Sequence, residues 1–168
     1  MKTKKDKTAV TLVEMLVVLA IISILAGMVI TIGTSIEDST REKGVRDLFA
    51  MLEIALQEYR EYRGDFPSVA DLPDDLEGER GFRSEWLYAA LRSEPASRKV
   101  LQEMSGTLID NRFVNPYPAY EGPEIYDPWG TVLDYRYSSS SGQHFPTLES
   151  AGPDRNFDTP EDNITNKQ

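Results

Sequence analysis

Glu14 is the single charged residue in the longest apolar run of the chain, residues 12–33. Such a run is long enough to cross a bilayer as a helix, which needs about 20 apolar residues. A carboxylate inside that helix costs about 2.5–3.5 kcal/mol near its centre, so its presence indicates a function. Two settings would suit it: pairing with a positive charge in a low-dielectric environment, or contact with water at the headgroup level.

A second group of candidate residues lies near the C-terminus, in residues 149–164. This segment holds five carboxylates: Glu149, Asp154, Asp158, Glu161 and Asp162. Calcium binds about 6–8 oxygen atoms from carboxylates, amides, backbone carbonyls and water. Gly152, Pro153 and Pro160 would let the segment bend round an ion. The charges alone leave two interpretations, a calcium site and a solvated acidic surface.

The sequence contains little that could perform catalysis. It has one histidine, His144, no cysteine, and none of the motifs of serine hydrolases, zinc proteases or phosphate-binding loops. Carboxylates are numerous enough for a glycosidase-like pair, but nothing in the sequence brings two of them into one cleft. We therefore predict that the protein is not an enzyme.

Charge is distributed unevenly along the 168 residues. Residues 1–9 hold four lysines and one aspartate, whereas the whole chain has a net charge of -10. The acidic body argues against nucleic acid and anionic lipid as partners. By the positive-inside rule, residues 1–9 are expected in the cytoplasm and the acidic domain across the membrane. The absence of cysteine excludes disulfides and a lipoprotein anchor.

A long helix is predicted to connect the apolar run to this domain. Apolar residues recur on one helical face at Val45, Leu48, Phe49, Leu52, Ala55, Leu56, Tyr59 and Tyr62. We expect one helix from about residue 11 to Tyr62, ended by Gly64. The alternative is a division into two helices at Gly44.

Beyond this helix the sequence predicts a small α+β domain. Residues 85–91 are expected to form a short helix with Ser84 as its N-cap. Residues 127–130, Asp-Pro-Trp-Gly, have the composition of a β-turn. Residues 131–137 are expected to form a strand that pairs with a second strand at residues 144–150.

The residues around the carboxylate, Ala9-Val10-Thr11-Leu12-Val13-Glu14, resemble the processing site of type IV pilins and pseudopilins. The resemblance implies cleavage after Ala9 by a prepilin peptidase and N-methylation of Val10 as the new N-terminus. It also implies that Thr11, Leu12 and Glu14 serve filament assembly, in which Glu14 of an incoming subunit pairs with the N-terminal amine of a neighbour. Ala9 stands where the family usually has Gly, and Val10 where it usually has Phe.

Two other interpretations of the N-terminus are a secretory signal peptide cut near Gly27 and a plain membrane anchor. The length of the apolar run and the position of Glu14 disfavour the signal peptide. The plain anchor leaves Glu14 unexplained.

Three further parts of the chain resemble the major pseudopilin of type II secretion systems. They are residues 59–67 (YREYRGDFP), residues 127–130 (DPWG), and residues 150–154 with 161–164 (SAGPD and EDNI). The implied fold is α+β, a long N-terminal transmembrane and stem helix packed on a small antiparallel β-sheet head. The implied divisions are a leader at 1–9, a transmembrane half-helix at 10–33, a stem half-helix at 34–63, and a head at 64–168 that contains a calcium-binding loop.

The same resemblance implies a single-pass protein of the inner membrane, with its N-terminus in the cytoplasm and its head in the periplasm. Such subunits form a periplasmic filament that drives protein export. The implied partners are further copies of the chain, minor pseudopilins, the prepilin peptidase and the inner-membrane assembly platform. The alternatives are a type IV pilin or minor pseudopilin of a surface filament, and a non-polymerising, single-pass anchored calcium-binding domain.

The resemblance also implies a set of Ca²⁺ ligands. By position these are the side chains of Asp154, Glu161 and Asp162 and the carbonyl of Ala151. The EDNI segment is one residue longer than the family pattern, so the acidic pair could equally be Asp162 and Asn163. Asp158 is either an extra ligand or a surface charge. Arg155 stands where the family often has Gly, and its charge would weaken cation binding.

Overall fold

The computed structural model of the protein describes residues 11–72, 78–113 and 122–167, without side-chain surroundings for residues 28–36, 71 and 141. The described residues form an α+β fold, as predicted. The helices are α1 (Leu12–Arg63), α2 (Arg80–Ser93) and α3 (Pro95–Glu103). The strands are β1 (Ile109–Asp110), β2 (Glu124–Ile125), β3 (Asp134–Arg136), β4 (Thr147–Ser150) and β5 (Ile164–Thr165).

Helix α1 runs through Gly44 without a break, so the prediction of a single helix is confirmed and the division into two is wrong. Gly44 serves close packing instead, because a Cβ added there would lie 3.1 Å from Cγ of Pro128. The helix ends at Arg63, directly before Gly64, the residue predicted to stop it. Gly64 has a φ of 87°, and its N–H donates to the carbonyl of Arg60 at 2.7 Å.

Helix α2 corrects one prediction, because it begins at Arg80 and Ser84 is not its N-cap. Ser84 is fully buried inside the helix, where its hydroxyl accepts the N–H of Ile125 at 2.9 Å. The earlier start has a tertiary cause. Arg83, in the first turn of α2, donates twice to one carboxylate oxygen of Asp134 at 2.8 and 2.6 Å, and this buried ion pair joins the helix to β3.

The strands form two antiparallel sheets, one of β1 and β2 and one in the order β3-β4-β5. The predicted pairing of the two strands now seen as β3 and β4 is confirmed, but both are shorter than predicted. The N–H of Leu133 donates to the carbonyl of Ile125 at 2.8 Å, so the residues before β3 bond towards β2. The amide of Gln143 donates to the carbonyl of Phe145 at 2.8 Å and holds the residues before β4 in a turn.

One hydrophobic core joins α1 to the sheets. The apolar face predicted for the second half of α1 supplies Val45, Leu48, Phe49, Leu52, Ala55 and Leu56, all buried. The other side of the core includes Leu87, Leu91, Ile125, Trp129, Leu133, Tyr135, Leu148 and Ile164. Burial of each large apolar side chain contributes about 1.5–3 kcal/mol, so this cluster is the main stabilising element of the head.

The chain forms two compact units, Met1–Ser39 and Thr40–Gln168. Residues 11–27, which belong to the first unit, are all exposed. Continuous exposed apolar surface of this kind marks a contact with lipid or protein. Among the residues whose surroundings the structure describes, no helix is long and apolar enough to cross a membrane.

Candidate functional site

The start of α1 brings Thr11 and Glu14 together in a capping box. The Thr11 hydroxyl accepts the N–H of Glu14 at 3.3 Å, and Oε2 of Glu14 accepts both the N–H and the hydroxyl of Thr11, at 2.8 and 2.9 Å. A side chain three residues into a helix that bonds back to the N-cap satisfies two otherwise unpaired N–H groups. The spacing Thr-x-x-Glu therefore has a local structural role at the first turn.

The same geometry leaves Oε1 of Glu14 without a hydrogen bond in the described residues. A carboxylate has about four acceptor positions, so Glu14 can cap its own helix and still accept a donor from another molecule. Leu12 is 78% exposed beside it. Ala9 and Val10, the predicted cleavage and methylation residues, lie outside the described residues.

The predicted calcium ligands lie in one segment, here called the acidic loop (residues 151–163), whose two ends meet. Gly152 has a φ of 69°, and a Cβ added there would lie 2.1 Å from the carbonyl oxygen of Asp162. No other residue type fits at this contact. Ala151 and Asn163, at the two ends of the loop, are buried.

The carboxylates in the middle of the acidic loop are exposed. Asp154 bonds within the loop: it accepts the N–H of Asn156 at 2.8 Å and the hydroxyl of Thr159. Asp158 and Glu161 are exposed, and Asp162 is half-buried. Arg155 has a φ of 61°, a conformation that costs a non-glycine residue about 1–2 kcal/mol. It stands at the position where the family that this sequence resembles often has Gly.

Asn163 carries the one unusual polar group of the loop. Its side chain is 9% exposed, and its amide nitrogen donates to Glu149 at 3.2 Å and to the carbonyl of Phe157 at 3.1 Å. Its Oδ1 is buried and, in the part of the chain that the structure describes, has no hydrogen-bond partner. A buried acceptor without a donor is costly, and an ion or water would satisfy it.

The types of oxygen in the acidic loop are those that calcium binds, since Ca²⁺ accepts amide, carboxylate and backbone carbonyl oxygens as ligands of one site. They include the unpaired Oδ1 of Asn163 and the adjacent Asp162. The described residues contain no group of three or more Asp, Glu, His or Cys side chains close enough to hold a metal ion. A calcium ion here would therefore depend on carbonyls, the amide and water as well as carboxylates.

A contact that the sequence did not predict links Ser150, the residue before the acidic loop, to the Asp-Pro-Trp-Gly turn. The turn itself forms as predicted, with the N–H of Gly130 donating to the carbonyl of Asp127 at 2.9 Å. The Asp127 carboxylate also accepts the hydroxyl of Ser150 at 2.6 Å. Asp127 is 2% exposed, and this burial raises the pKa of its carboxyl.

The comparisons with known proteins identify one part of the chain. The family model for the prokaryotic N-terminal methylation motif matches residues 4–30. No curated protein and no solved structure matched the chain. The match contains Thr11 and Glu14, the two residues of the capping box, and both predicted processing residues.

The motif implies prepilin-type processing, membrane association and filament assembly, which are properties of a structural class and not of an enzyme class. The chain thus carries the N-terminal motif of prepilin-processed proteins, and this supports a type IV pilin-like protein.

Proposed function

We propose that the protein is the major pseudopilin of a type II secretion system. The mature chain begins at Val10 and is held in the inner membrane by a single span, with its head in the periplasm. Copies of the chain assemble into a periplasmic filament that drives protein export. The prepilin peptidase, the assembly platform and minor pseudopilins are the partners.

The observation that carries this proposal is the Thr11–Glu14 capping box within the matched methylation motif. Cleavage before Val10 creates an α-amine one residue before the cap. In low dielectric that amine and a carboxylate attract strongly, and their pairing offsets desolvation. Oε1 of Glu14, which has no hydrogen bond to the described residues, accepts the amine of a neighbouring copy.

The test compares Glu14→Ala with Glu42→Ala, which removes an exposed carboxylate from the second half of α1. Filaments are counted by electron microscopy, and the thermal midpoint of the full chain in detergent reports folding of the head. Glu14→Ala is expected to abolish filaments and leave the midpoint unchanged, whereas Glu42→Ala assembles normally. Normal filaments from Glu14→Ala would refute the pairing.

The mass and N-terminal sequence of the protein from its native membrane separate the remaining alternatives. A chain that starts at Val10 and is heavier by one methyl group supports a processed filament subunit. A chain that starts at Met1, in cells with an active prepilin peptidase, would indicate a non-polymerising anchored domain. Deletion of the gene separates a secretion filament from a pilus. Loss of protein export would indicate a secretion filament, whereas loss of a surface fibre would indicate a pilus.

We also propose a calcium ion at the acidic loop, held through Asn163 and Asp162, with the carbonyl of Ala151 and the carboxylate of Asp154 as further ligands. The unpaired Oδ1 of Asn163 supports Asp162 and Asn163 as the polar pair, because Glu161 is exposed. When bound, Ca²⁺ would neutralise carboxylates and hold the two ends of the loop together.

Calcium titration of the full chain tests this assignment. Ca²⁺ is expected to raise the thermal midpoint where Mg²⁺ does not, since Mg²⁺ needs a stricter octahedral site. Asp162→Asn should abolish the rise, and its matched control Glu161→Gln should retain it. An equal rise in wild type and Asp162→Asn would exclude Asp162 as a ligand, and the absence of any rise would exclude the site.

A further inference from the structure

The two oxygens of the Asp127 carboxylate have separate tasks. Oδ1 accepts the N–H groups of Trp129 and Thr131, at 3.0 and 2.9 Å, and these bonds belong to the turn itself. Oδ2 accepts the hydroxyl of Ser150, 23 residues further along the chain. The turn does not need this second bond, so its role must lie in the segment that contains Ser150.

Ser150 also forms a hydrogen bond with the acidic loop. It is the last residue of β4 and is fully buried, and its hydroxyl oxygen accepts the N–H of Gly152 at 3.2 Å. Gly152 is the residue that contacts the carbonyl of Asp162 and so closes the loop. A continuous series of contacts therefore runs from Asp127 through Ser150 to both ends of the loop.

We propose that Asp127 is a positioning residue for the acidic loop, acting through the hydroxyl of Ser150 to hold Gly152 against Asp162. The carboxylate fixes the direction of the hydroxyl proton, which leaves the oxygen of Ser150 free to accept from Gly152. The closed loop base in turn fixes where the Ala151 carbonyl and the Asn163 side chain lie. The part of this inference that concerns cation affinity rests on the calcium site proposed above.

The experiment compares Ser150→Ala with Ser97→Ala in the full chain. Both serines are fully buried, and Ser97 donates to the carbonyl of Ala55 at 2.9 Å, remote from the loop in sequence. Residue-resolved amide hydrogen exchange is measured without calcium. The reporters are the amides of Gly152, Arg155 and Thr159, which donate to Ser150, Gly152 and Asn156 respectively; Arg155 and Thr159 do not bond to the mutated residue and so report on the loop itself.

Ser150→Ala is expected to speed exchange at these three amides by about tenfold to a hundredfold, the factor for loss of a hydrogen bond to a charged group. Ser97→Ala should leave the three rates within about threefold of wild type once global stability is corrected for. Equal rates in the two variants would overturn the inference.

Asp127→Asn separates the two tasks of the carboxylate, because it keeps Oδ1 for the turn and replaces Oδ2 by a donor. The amides of Gly130 and Thr131 should stay protected while the loop amides exchange faster. Simultaneous loss of protection in the turn and the loop would assign Asp127 to the turn alone and overturn the positioning role.

Calcium affinity gives the second readout. If wild type binds Ca²⁺, Ser150→Ala is expected to weaken binding by about tenfold or more, and unchanged affinity would refute the positioning role. If wild type binds no Ca²⁺ but the exchange result is obtained, the calcium site fails and the positioning of the loop by Asp127 is supported on its own.

Discussion

Gly152 closes the base of the acidic loop, and its replacement by alanine is the strictest test of that geometry. The new Cβ would stand 2.1 Å from the carbonyl oxygen of Asp162, well below the 3.0 Å that real Cβ contacts respect. The backbone at Asp162 and Asn163 would have to move by about 1 Å to make room. Gly142 offers a matched control, since it has the same φ of 69° and no atom within 4 Å of its Cβ position.

The loss of unfolding free energy expected for each variant has a backbone contribution that both glycines share and an overlap with Asp162 that occurs only at Gly152. At either site alanine costs about 1–2 kcal/mol for the left-handed backbone, offset by about 0.4–1 kcal/mol from a less flexible unfolded chain. At Gly152 the overlap adds about 1–3 kcal/mol, and displacement of Asn163 loses two hydrogen bonds of about 1 kcal/mol each. Gly152→Ala should therefore cost about 3–7 kcal/mol, and Gly142→Ala about 1 kcal/mol.

Urea unfolding of the full chain in detergent, followed by tryptophan fluorescence, measures both variants. The midpoint of Gly152→Ala should shift strongly, while the slope with urea concentration stays at its wild-type value, which shows that the unfolded surface is the same. If Gly152→Ala costs no more than Gly142→Ala, the contact between Gly152 and Asp162 does not hold the loop, and the positioning role of Asp127 loses its basis.

Two further predictions concern charge and pH. Arg83→Met leaves the buried carboxylate of Asp134 without its main partner and should lower the free energy of unfolding by about 3–5 kcal/mol. The control is Arg136→Met, which should cost less than about 1 kcal/mol because the side chain of Arg136 is 52% exposed. Equal costs of the two variants in urea unfolding would contradict the buried ion pair. Burial raises the pKa of Tyr126 to about 12, so the folded state keeps a proton that the unfolded chain releases near pH 10. Stability should therefore fall as pH rises from about 10 to about 12, and Tyr126→Phe should reduce that fall; an unchanged fall in this variant would contradict the raised pKa of Tyr126.

The elements that the sequence predicts well are those with a local cause. Helix α1 follows from apolar residues on one face, and its end follows from the left-handed conformation that Gly64 allows. The Thr11–Glu14 cap is also local, since residues three apart meet on a helix. The sequence analysis paired Glu14 with the N-terminal amine of a neighbouring subunit and missed its bonds to Thr11 in the same chain, although Thr-x-x-Glu is itself a capping signature.

The elements that the sequence missed have distant causes. Ser84 has the propensity of an N-cap, but burial of Arg83 against Asp134, 51 residues away, extends the helix upstream of it. Strands β1 and β2 are two residues long, too short for any alternation to be visible. The bond from Ser150 to Asp127 depends on one hydroxyl and one carboxylate, and no spacing rule connects residues 23 apart.

Some of the acidic residues of the head are buried and stabilise its packing, which the net charge of the chain does not reveal. Among the residues that the structure describes, five carboxylates are almost completely buried: Glu85, Glu94, Glu124, Asp127 and Asp134. Glu124 accepts the N–H groups of Arg112 and Phe113 at 3.0 Å each and joins β2 to the residues after β1. Asp134 joins β3 to α2 in the same way.

Four of these carboxylates, Glu94, Glu124, Asp127 and Asp134, therefore connect segments that lie apart in the sequence. The chain has no cysteine, so no disulfide can make such connections. A buried carboxylate with several donors is costly to leave unpaired, which favours the one arrangement that satisfies it. Part of the negative charge thus specifies how the head packs, and the base of the acidic loop is positioned by one of these buried groups, Asp127, while the exposed Asp154 forms hydrogen bonds within the loop.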